Sequence, residues 1–422
     1  MVERLYYSNS YLQSFSARVT DIRELSRIDG QAVWQVALDR SAFYPTSGGQ
    51  PHDVGILRAT SRSGAVLEVP VISVDEDEHG EVWHQTLKPL LAGTEVTGEI
   101  EWPRRLDHIQ QHSGQHLLSA VFAKELQAQT VSFHLGEASS TIDLAVDAVA
   151  HHSLERVERI ANELLAEDRT VIARIVEREE AEEMLAAGTL RKLPEREGTI
   201  RLIEIADCDL NACGGTHVSS TGQIGGLLIR SVERVRHGVR LEFVCGLRAV
   251  AMARQDFTIL SKSAALLSAS RSDVSLNVER LLAETKAKAK EQQRLREDLA
   301  TYHASRLAVE EMIVDHLRVV RRIFADRDAE YVKLLTSRLV ASVPQTVAVL
   351  VSTQKEPAMV VLGHSGDLDF HAGNVMKNAL ASMGLRGGGS ADLAQGQVTR
   401  AQLKELLDSL VAAVRESCSA RA

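Results

Sequence analysis

The chain has 422 residues, of which 44% are hydrophobic and 25% are charged, a composition that excludes collagen-like, disordered and disulfide-scaffold proteins. Its 48 basic and 57 acidic residues give a net charge of −9, which argues against a protein that coats nucleic acid regardless of sequence. No apolar run approaches the roughly 18 residues of a membrane span, and the N-terminal residues lack the apolar core of a secretory signal. We therefore expect a cytoplasmic protein with no membrane partner.

Residues 1–102 predict an antiparallel β-barrel-like module. Short segments such as AVWQVALD and TEVTGEIEW alternate apolar and polar residues, and clusters of Gly, Asp and Ser separate them. This period of two with frequent turns is typical of a small barrel or sandwich. The stretch FYPTSGGQP, Phe43 to Pro51, holds two prolines and two glycines, which exclude a regular strand there.

Residues 103–250 predict an α+β domain. Arg104 to Leu126 should form a helix, because apolar residues recur on one face at helical spacing. A strand pair around VSFHLGEASSTIDL and a second helix capped by Ser153 follow. Further strands are predicted at TVIARIVE, TIRLIEIA, GLLIRSVERV and VRLEFVCG, with a short helix at REEAEEMLAAG.

The C-terminal part predicts a spacer and a separate domain. Residues 251–309 form the spacer, because Ser272 to Tyr302 is rich in helix-forming residues and contains no Gly or Pro. Residues 310–422 show a helix, the strands TVAVLVS and AMVVLG, a second helix, a glycine cluster at Gly384 to Gly389 and a final amphipathic helix from Thr399. We expect an α/β end domain, and the fold class of the whole chain is α+β.

Histidines recur every four residues in the first predicted helix. His108, His112 and His116 therefore project from about the same face. Two imidazoles one turn apart have the spacing that holds a single metal ion, although histidines also occur in cores and on surfaces. The residues alone do not decide which two of the three would bind.

A second pair of candidate ligands lies far downstream. Cys213 and His217 are again four residues apart, in a glycine-bearing loop. A thiolate with imidazoles is a donor set that suits zinc and excludes magnesium and calcium. Whether Cys208 competes with Cys213 stays open at this point.

Three motifs in the same order carry a resemblance to a known family. HSGQHLLSAVF (His112 to Phe122) and CGGTHVSSTGQIG (Cys213 to Gly225), with FYPTSGGQPHDVG (Phe43 to Gly55) upstream, resemble the editing domain of alanyl-tRNA synthetase and its free-standing relatives, the AlaX proteins. The likeness covers roughly residues 1 to 250.

The C-terminal GLRGGGSADLAQG, Gly384 to Gly396, is similar to the DHHA1 domain that ends alanyl-tRNA synthetases and the long form of AlaX. Because no aminoacylation core precedes the barrel in this sequence, the resemblance implies a long-form editing protein that acts in trans.

The resemblance implies a zinc-dependent hydrolase that removes serine from tRNA(Ala), with glycine as a further candidate. The implied zinc ligands and catalytic centre are His112, His116, Cys213 and His217, with His108 outside them. Zinc could bind the substrate amine or carbonyl, polarise the ester or activate water. Four protein ligands would close a tetrahedral shell, so one ligand is displaced, the shell expands, or the attacking water is held elsewhere.

Substrate recognition is the reason for such a second hydrolytic site. A synthetase pocket separates serine or glycine from alanine by only about 10 to 200-fold. The resemblance brings Thr46 and Gln50 towards the pocket. The Thr46 hydroxyl either recognises serine or bonds backbone within its turn. Gln115 stands where synthetase editing domains usually carry threonine.

Backbone groups beside the ligands are further candidates. Gly214, Gly215 and Thr216 could donate hydrogen bonds to the developing oxyanion, or the glycines serve only a tight loop.

Local basic residues are candidates for contacts with tRNA. Six arginines and only two glutamates lie between Gly226 and Arg254, and Arg230, Arg234 and Arg240 are our candidates among them. A solvated sheet face explains the same pattern. Arg386 beside Gly387 to Gly389 could let backbone approach phosphate, or mark a plain turn. The resemblance implies tRNA binding or a homodimer through the end domain.

Two other functions remain open from the sequence. Threonyl-tRNA editing domains carry a related histidine and cysteine pattern, so Ser-tRNA(Thr) is an alternative substrate. A non-catalytic tRNA-binding module with structural zinc is the other, because four ligands fill a tetrahedral shell.

Overall fold

The computed structural model describes residues 2–28, 31–61, 64–190, 193–194, 198–310 and 317–419. The chain divides into two compact units, Met1–Lys262 and Ser263–Ala422. Within the described ranges, no helix combines the length and the apolar character needed to cross a bilayer.

The first part of unit one is a closed barrel of six strands in the order β2-β3-β7-β6-β5-β8. Every second residue along a strand faces the interior, which apolar side chains such as Val36, Leu57 and Val69 fill. The predicted barrel is confirmed. The elements are β1 (Glu3–Arg4), α1 (Leu5–Ser8), β2 (Ser14–Ile28), β3 (Gln31–Leu38), β4 (Arg40–Ser41), β5 (Gly55–Thr60), β6 (Val66–Glu76), β7 (Val82–Thr86) and β8 (Glu95–Ile100).

The segment from Phe43 to Pro51 leaves the barrel as an irregular loop, as its glycines and prolines predict. A single bridge joins Ser47 and Gln50. The Gly49 carbonyl accepts a hydrogen bond of 3.3 Å from the Leu135 N–H. This contact brings the loop against the second half of the unit.

The second half of unit one surrounds a buried helix, α2. One sheet has the order β14-β15-β10-β9 and another the order β11-β12-β13. Ile109, Leu117 and Phe122 of α2 lie in the core that these elements share, so the predicted α+β arrangement is confirmed. The elements are α2 (Trp102–Leu126), β9 (Thr130–Leu135), β10 (Ser140–Leu144), α3 (His151–Ala166), β11 (Val171–Val176), α4 (Arg178–Ala186), β12 (Ile200–Ile205), β13 (Asp209–Ala212), β14 (Leu227–Val235) and β15 (Gly238–Cys245).

The prediction that Ser153 caps a helix is wrong. Helix α3 begins at His151, its N-cap is Ala150, and no side chain caps it. Ser153 instead lies within the first turn, where its N–H donates to the Ala150 carbonyl. Alanine has no side-chain acceptor, so the helix starts without a polar cap.

Two long helices follow the strands, α5 (Gly246–Leu266) and α6 (Val274–Glu310), with a short 3₁₀ turn between them at Arg271–Asp273. The predicted solvated helix corresponds to α6, whose buried residues are confined to Ala300, Ala304 and Leu307.

Unit two contains a five-stranded sheet in the order β16-β17-β18-β20-β19. Only β16 and β17 pair in parallel, so the predicted α/β domain has a mixed sheet. Its remaining elements are β16 (Arg318–Phe324), α7 (Ala329–Ser342), β17 (Thr346–Ser352), β18 (Ala358–His364), α8 (Ala372–Ala381), β19 (Gly387–Gly389), β20 (Leu393–Val398) and α9 (Leu403–Ser419).

Candidate metal centre

Four side chains with metal-binding atoms meet at the middle of α2. His112 and His116 lie on that helix, and Cys213 and His217 lie on the loop after β13. Their ligand atoms all lie within 4.8 Å of one another. The four residues that the resemblance implies as ligands are therefore brought together, and His108 lies outside the group.

Polar groups behind two of the histidines fix the orientation of their rings. His112 Nδ1 lies 2.8 Å from Gln50 Oε1, and since that oxygen only accepts, Nδ1 carries the hydrogen. His217 Nδ1 lies 3.2 Å from Ser113 Oγ. The opposite nitrogens face the thiol, because His112 Nε2 and His217 Nε2 lie 3.4 and 3.3 Å from Cys213 Sγ. Such outer contacts orient metal-binding histidines.

His116 has a carboxylate behind it. Its Nδ1 lies 3.6 Å from Asp209 Oδ2, and the Asn211 amide donates to the same carboxylate and lies 3.4 Å from His116 Nδ1. Burial opposes protonation of this ring, but Asp209 and Cys213 outweigh it and raise the pKa of His116 to about 9. The protein therefore places negative charge on both sides of this ring.

The surroundings of Cys213 favour the thiolate form of its side chain. Burial raises the pKa of Cys213, but the rings of His112 and His217 outweigh burial and hold it well below its usual value. Burial lowers the pKa of His217 to about 3. A thiolate and a neutral imidazole are the forms that bind metals.

The donor set fits a zinc ion. Zn–N bonds of about 2.0–2.1 Å and Zn–S bonds of about 2.3 Å place tetrahedral N and S ligands about 3.5 Å apart. The observed distances from sulfur to nitrogen are 3.3 and 3.4 Å. Magnesium and calcium, which prefer oxygen ligands, do not suit this set.

The loop that carries Cys213 packs tightly behind the centre. A Cβ atom at Gly215 would lie 2.2 Å from His112 Cε1 and 2.9 Å from Gln50 Oε1. Glycine is therefore required at this position for close packing rather than for an unusual backbone angle.

A cavity of about 580 Å³ opens beside the centre. This volume suits a ligand of drug size. Its lining comes from the barrel loop, α2, β9 and the loop after β13. The residues are Tyr44, Ser47, Gly48, Gln115, His116, Ser119, Gln129, Thr130, Val131, Ser132, Phe133, Leu193, Pro194, Asn211, Ala212, Cys213, Gly214 and Gly215.

Among the predicted substrate residues, Gln115, Gly214 and Gly215 line the cavity and Thr46 does not. The Thr46 hydroxyl lies 3.0 Å from His52 Nδ1, and its contact with serine stays a prediction.

Gln50 and Thr216 also lie behind the centre rather than in the cavity. The Gln50 amide nitrogen donates to Thr216 Oγ1 at 2.9 Å, and the Thr216 N–H donates to Gln50 Oε1 at 3.1 Å. Gln50 thus joins the barrel loop to both ligand-bearing segments.

A hydroxyl and amide network lies on the α2 side of the cavity. Gln115 Nε2 and Thr130 Oγ1 donate to Ser119 Oγ at 2.9 and 2.7 Å. Gln115 Oε1 is buried without a hydrogen-bond partner among the described residues. An unpaired buried acceptor is costly unless a ligand supplies a hydrogen.

The arginines predicted to bind tRNA have differing surroundings. Arg240 pairs with Asp143 at 2.7 Å, and Arg230 pairs with Asp256. Arg234 is exposed and makes no ion pair with a described residue, and Arg386 is exposed in unit two. Their role in tRNA binding stays a prediction.

His108 and Cys208 have places outside the centre. His108 is buried, its Nδ1 has no partner within the described ranges, and burial followed by the charge of Arg104 lowers its pKa to about 3. Cys208 is half-buried and lies beside a small cavity with Lys124 and Asp207.

The sequence reasoning missed the outer residues of the centre. Asp209 lies in no motif that could reveal it, and Ser113 lies in HSGQHLLSAVF without any signal of its own role. Arg201 did carry a signal, because it is a charged residue inside the apolar strand TIRLIEIA.

The part of the chain that holds this centre is similar to known proteins. Residues 200–241 match the threonyl and alanyl tRNA synthetase second additional domain. The alanyl-tRNA editing protein AlaX-M of Methanosarcina mazei is 37% identical over 242 residues, which cover 55% of this chain and 92% of that protein.

A longer protein matches almost the whole chain. The alanine–tRNA ligase of Pyrococcus abyssi is 30% identical over 421 residues, which cover 96% of this chain and 43% of the ligase. The chain therefore spans less than half the length of that ligase. Among solved structures, the C-Ala domain of Aquifex aeolicus alanyl-tRNA synthetase covers 26% of this chain and 97% of its own, with 23% identity and a TM-score of 0.23.

Proposed function

Because the chain belongs to the family of alanyl-tRNA editing proteins that includes AlaX-M and shares sequence with alanine–tRNA ligases, we propose that it is a zinc-dependent editing hydrolase. Its substrate is tRNA(Ala) mischarged with serine, and glycine is a further candidate for the mischarged amino acid. The observation that carries the proposal is the convergence of His112, His116, Cys213 and His217 beside a cavity.

The side chains around the centre support a role in ester chemistry. Zinc, when bound, would supply a Lewis acid next to the substrate. His116 and Cys213 both line the cavity as well as belonging to the centre, so a bound ester meets the same groups that hold the ion. Gln50 and Asp209 hold the rings of His112 and His116 in place without entering the cavity.

Selection of serine over alanine follows from the unpaired Gln115 Oε1. A seryl hydroxyl can donate to this oxygen, and the Thr130 hydroxyl lies close by on the Ser119 side of the network. An alanyl group would leave the acceptor unpaired at a cost of about 1–3 kcal/mol, or up to about 100-fold in rate.

The test of this selection is Gln115→Leu. We expect it to lower serine release from tRNA(Ala) by about 10 to 100-fold, because the acceptor is gone, while zinc content stays unchanged. Gln85→Leu is the control, since that amide donates to Asp75 on the barrel and does not line the cavity. Full serine release by Gln115→Leu would contradict the assignment.

A threonyl-type activity is a second candidate, because the matching family model covers threonyl as well as alanyl enzymes. One assay separates the possibilities. The protein is incubated with Ser-tRNA(Ala), Gly-tRNA(Ala), Ala-tRNA(Ala) and Ser-tRNA(Thr), with and without a chelator. Chelator-sensitive serine release from the alanine tRNA supports the proposal. Release from Ser-tRNA(Thr) alone supports the second candidate. Binding with no release indicates a tRNA-binding module.

A further inference from the structure

The amides of the loop that follows β13 are satisfied one after another, with a single exception. The Cys213 N–H donates to the Arg201 carbonyl at 3.1 Å, and the Gly215 N–H donates to Cys213 Sγ at 3.4 Å. The next three are bonded to side chains: Thr216 to Gln50 Oε1, His217 to Ser10 Oγ and Val218 to Ser113 Oγ. Within the described part of the chain, the Gly214 N–H alone has no partner in this run.

Arg201 holds the carbonyl side of the same loop. Its Nη1 donates to the Cys213 carbonyl at 2.8 Å and to the Gly215 carbonyl at 2.9 Å. Its Nε donates to the Tyr7 carbonyl at 3.2 Å, and its guanidinium lies 5.3 Å from the centroid of the Tyr7 ring. The residue is 9% exposed, and no described carboxylate pairs with it.

Peptide geometry links these two observations. In a trans peptide the C=O and the N–H of one unit point in opposite directions. Since Arg201 binds the Cys213 carbonyl, the Gly214 N–H of the same peptide points away from Arg201. Arg201 also binds the Gly215 carbonyl, and the N–H of that same peptide, which belongs to Thr216, points away from Arg201 to Gln50 Oε1. Gly214 lines the cavity.

We infer that Arg201 is a positioning residue that turns the Gly214 N–H towards the substrate ester, where it stabilises the oxyanion that develops during hydrolysis. The inference rests on the proposed function. An arginine suits this task because its planar guanidinium holds several acceptors in a fixed arrangement, which a lysine cannot do. The guanidinium touches only backbone and the Tyr7 ring, so it acts through the loop.

The first test compares Arg201→Gln and Arg201→Lys with the wild type. Loss of one oxyanion donor costs about 10²–10³ in kcat. For Arg201→Gln we expect kcat on Ser-tRNA(Ala) to fall by roughly 10 to 100-fold, because the Gly214 peptide is released rather than removed. KM and zinc content should stay near the wild-type values. Arg201→Lys should recover a part of kcat.

Arg174→Gln is the matched control. Arg174 lies on β11, next to β12, is half-exposed and pairs with Glu204 at 3.6 Å. The kcat of Arg174→Gln should equal that of the wild type. An unchanged kcat in Arg201→Gln would overturn the inference. So would a parallel loss of zinc and of affinity for a serine amide of 3′-aminoadenosine, because that pattern indicates general structural support.

A second measurement needs no variant. A phosphonate analogue of the seryl ester, which carries a tetrahedral anion, is added to the zinc-loaded wild-type protein, and the amide resonances are followed by NMR. The Gly214 amide proton should move downfield while that of Thr216 does not. An unmoved Gly214 amide would refute the inference. Failure of the wild type to release serine from tRNA(Ala) would instead refute the proposed function.

Discussion

Two groups of polar side chains in the first compact unit differ in their surroundings. At the candidate metal centre, His112 and His217 are buried, and the outer nitrogen of each ring contacts a polar partner. On β15 and β14, Arg240 and Arg230 lie at the surface against carboxylates. An unpaired buried group costs about 1–3 kcal/mol, whereas an exposed ion pair contributes about 0–1 kcal/mol. A single contact therefore matters far more at the centre than on the sheet.

The largest effect is expected from Gly215→Ala. The added Cβ would collide with His112 and Gln50, so the His112 ring, a candidate ligand, must move. Zinc affinity should fall by more than about 100-fold, beyond the 10 to 100-fold typical of changes behind a ligand. Competition with a chromogenic chelator measures it. Gly214→Ala is the control, because its Cβ would meet only Tyr7, at 3.5 Å from Oη. Equal affinities in the two variants would contradict this account.

Gln50 offers a test of how its amide acts. Gln50→Ala removes the acceptor for His112 Nδ1, and we expect zinc affinity to fall by about 10 to 100-fold. Gln50→Glu keeps an acceptor at the same place and should retain most of the affinity. The same chelator competition applies. A loss in Gln50→Glu as large as in Gln50→Ala would show that the bond to Thr216, not that to His112, is the important one.

A buried histidine of the barrel extends the comparison to pH. His84 contacts Ser41 Oγ at 2.8 Å and the Val36 carbonyl at 2.9 Å, and burial lowers its pKa to about 4. The unfolded chain takes up this proton near pH 6.5. The free energy of unfolding should therefore be fully retained above pH 6.5 and fall as the pH drops towards 4.

Between pH 6.5 and 5 this loss is about 2 kcal/mol for His84 alone. Urea unfolding at the two pH values measures it. His84→Gln should show a smaller loss, whereas His151→Gln should match the wild type because His151 is exposed. The same pH dependence in His84→Gln and the wild type would refute the assignment to His84.

The smallest effects are expected from the arginines on β14 and β15. Arg234 makes no ion pair within the described ranges, so Arg234→Gln should weaken tRNA binding and lower the salt slope by about 1 if this face follows phosphates. Arg240→Gln should change the dissociation constant by less than about threefold, since Asp143 already partners it. Filter binding at several salt concentrations measures both. Equal slopes in the wild type and Arg234→Gln would exclude this face.

The sequence predicted those parts of the fold in which periodicity reports burial. Alternation in the barrel strands and helical spacing in α2 place Val36 and Leu117 inside, and both are buried. The site was predictable to the extent that ligand spacing and family motifs combine. Spacing alone left His108 as a third candidate, and the resemblance separated it from His112 and His116.

The residues behind the centre could not be predicted in the same way. Gln50 lies 62 residues before His112 in the chain, and its residue type is common on surfaces. Only the folded chain shows that its amide reaches both ligand-bearing segments. Thr46 shows the opposite case, since a motif placed it near the pocket but its hydroxyl turns to His52.

Three strands of unit two, β16, β19 and β20, escaped prediction, and the first two did so for different reasons. Arg318–Phe324 carries three arginines, and among the described strands it pairs with β17 alone, so no apolar alternation marks it. Gly387–Gly389 was expected to be a turn or a phosphate contact. It forms a strand because a Cβ at Gly387 would lie 2.2 Å from Leu380 Cδ1, so glycine allows the strand to pack on α8.

The separation of the four ligands along the chain affects when the centre can form in a cell. His112 and His116 leave the ribosome about 100 residues before Cys213 and His217. At about 5–20 residues per second, this interval lasts about 5–20 s. During it the nascent chain contains two of the four candidate ligands, both of them imidazoles. A metal ion that needs all four groups can therefore bind only at the end of translation of this unit, after β12 and β13 have been made.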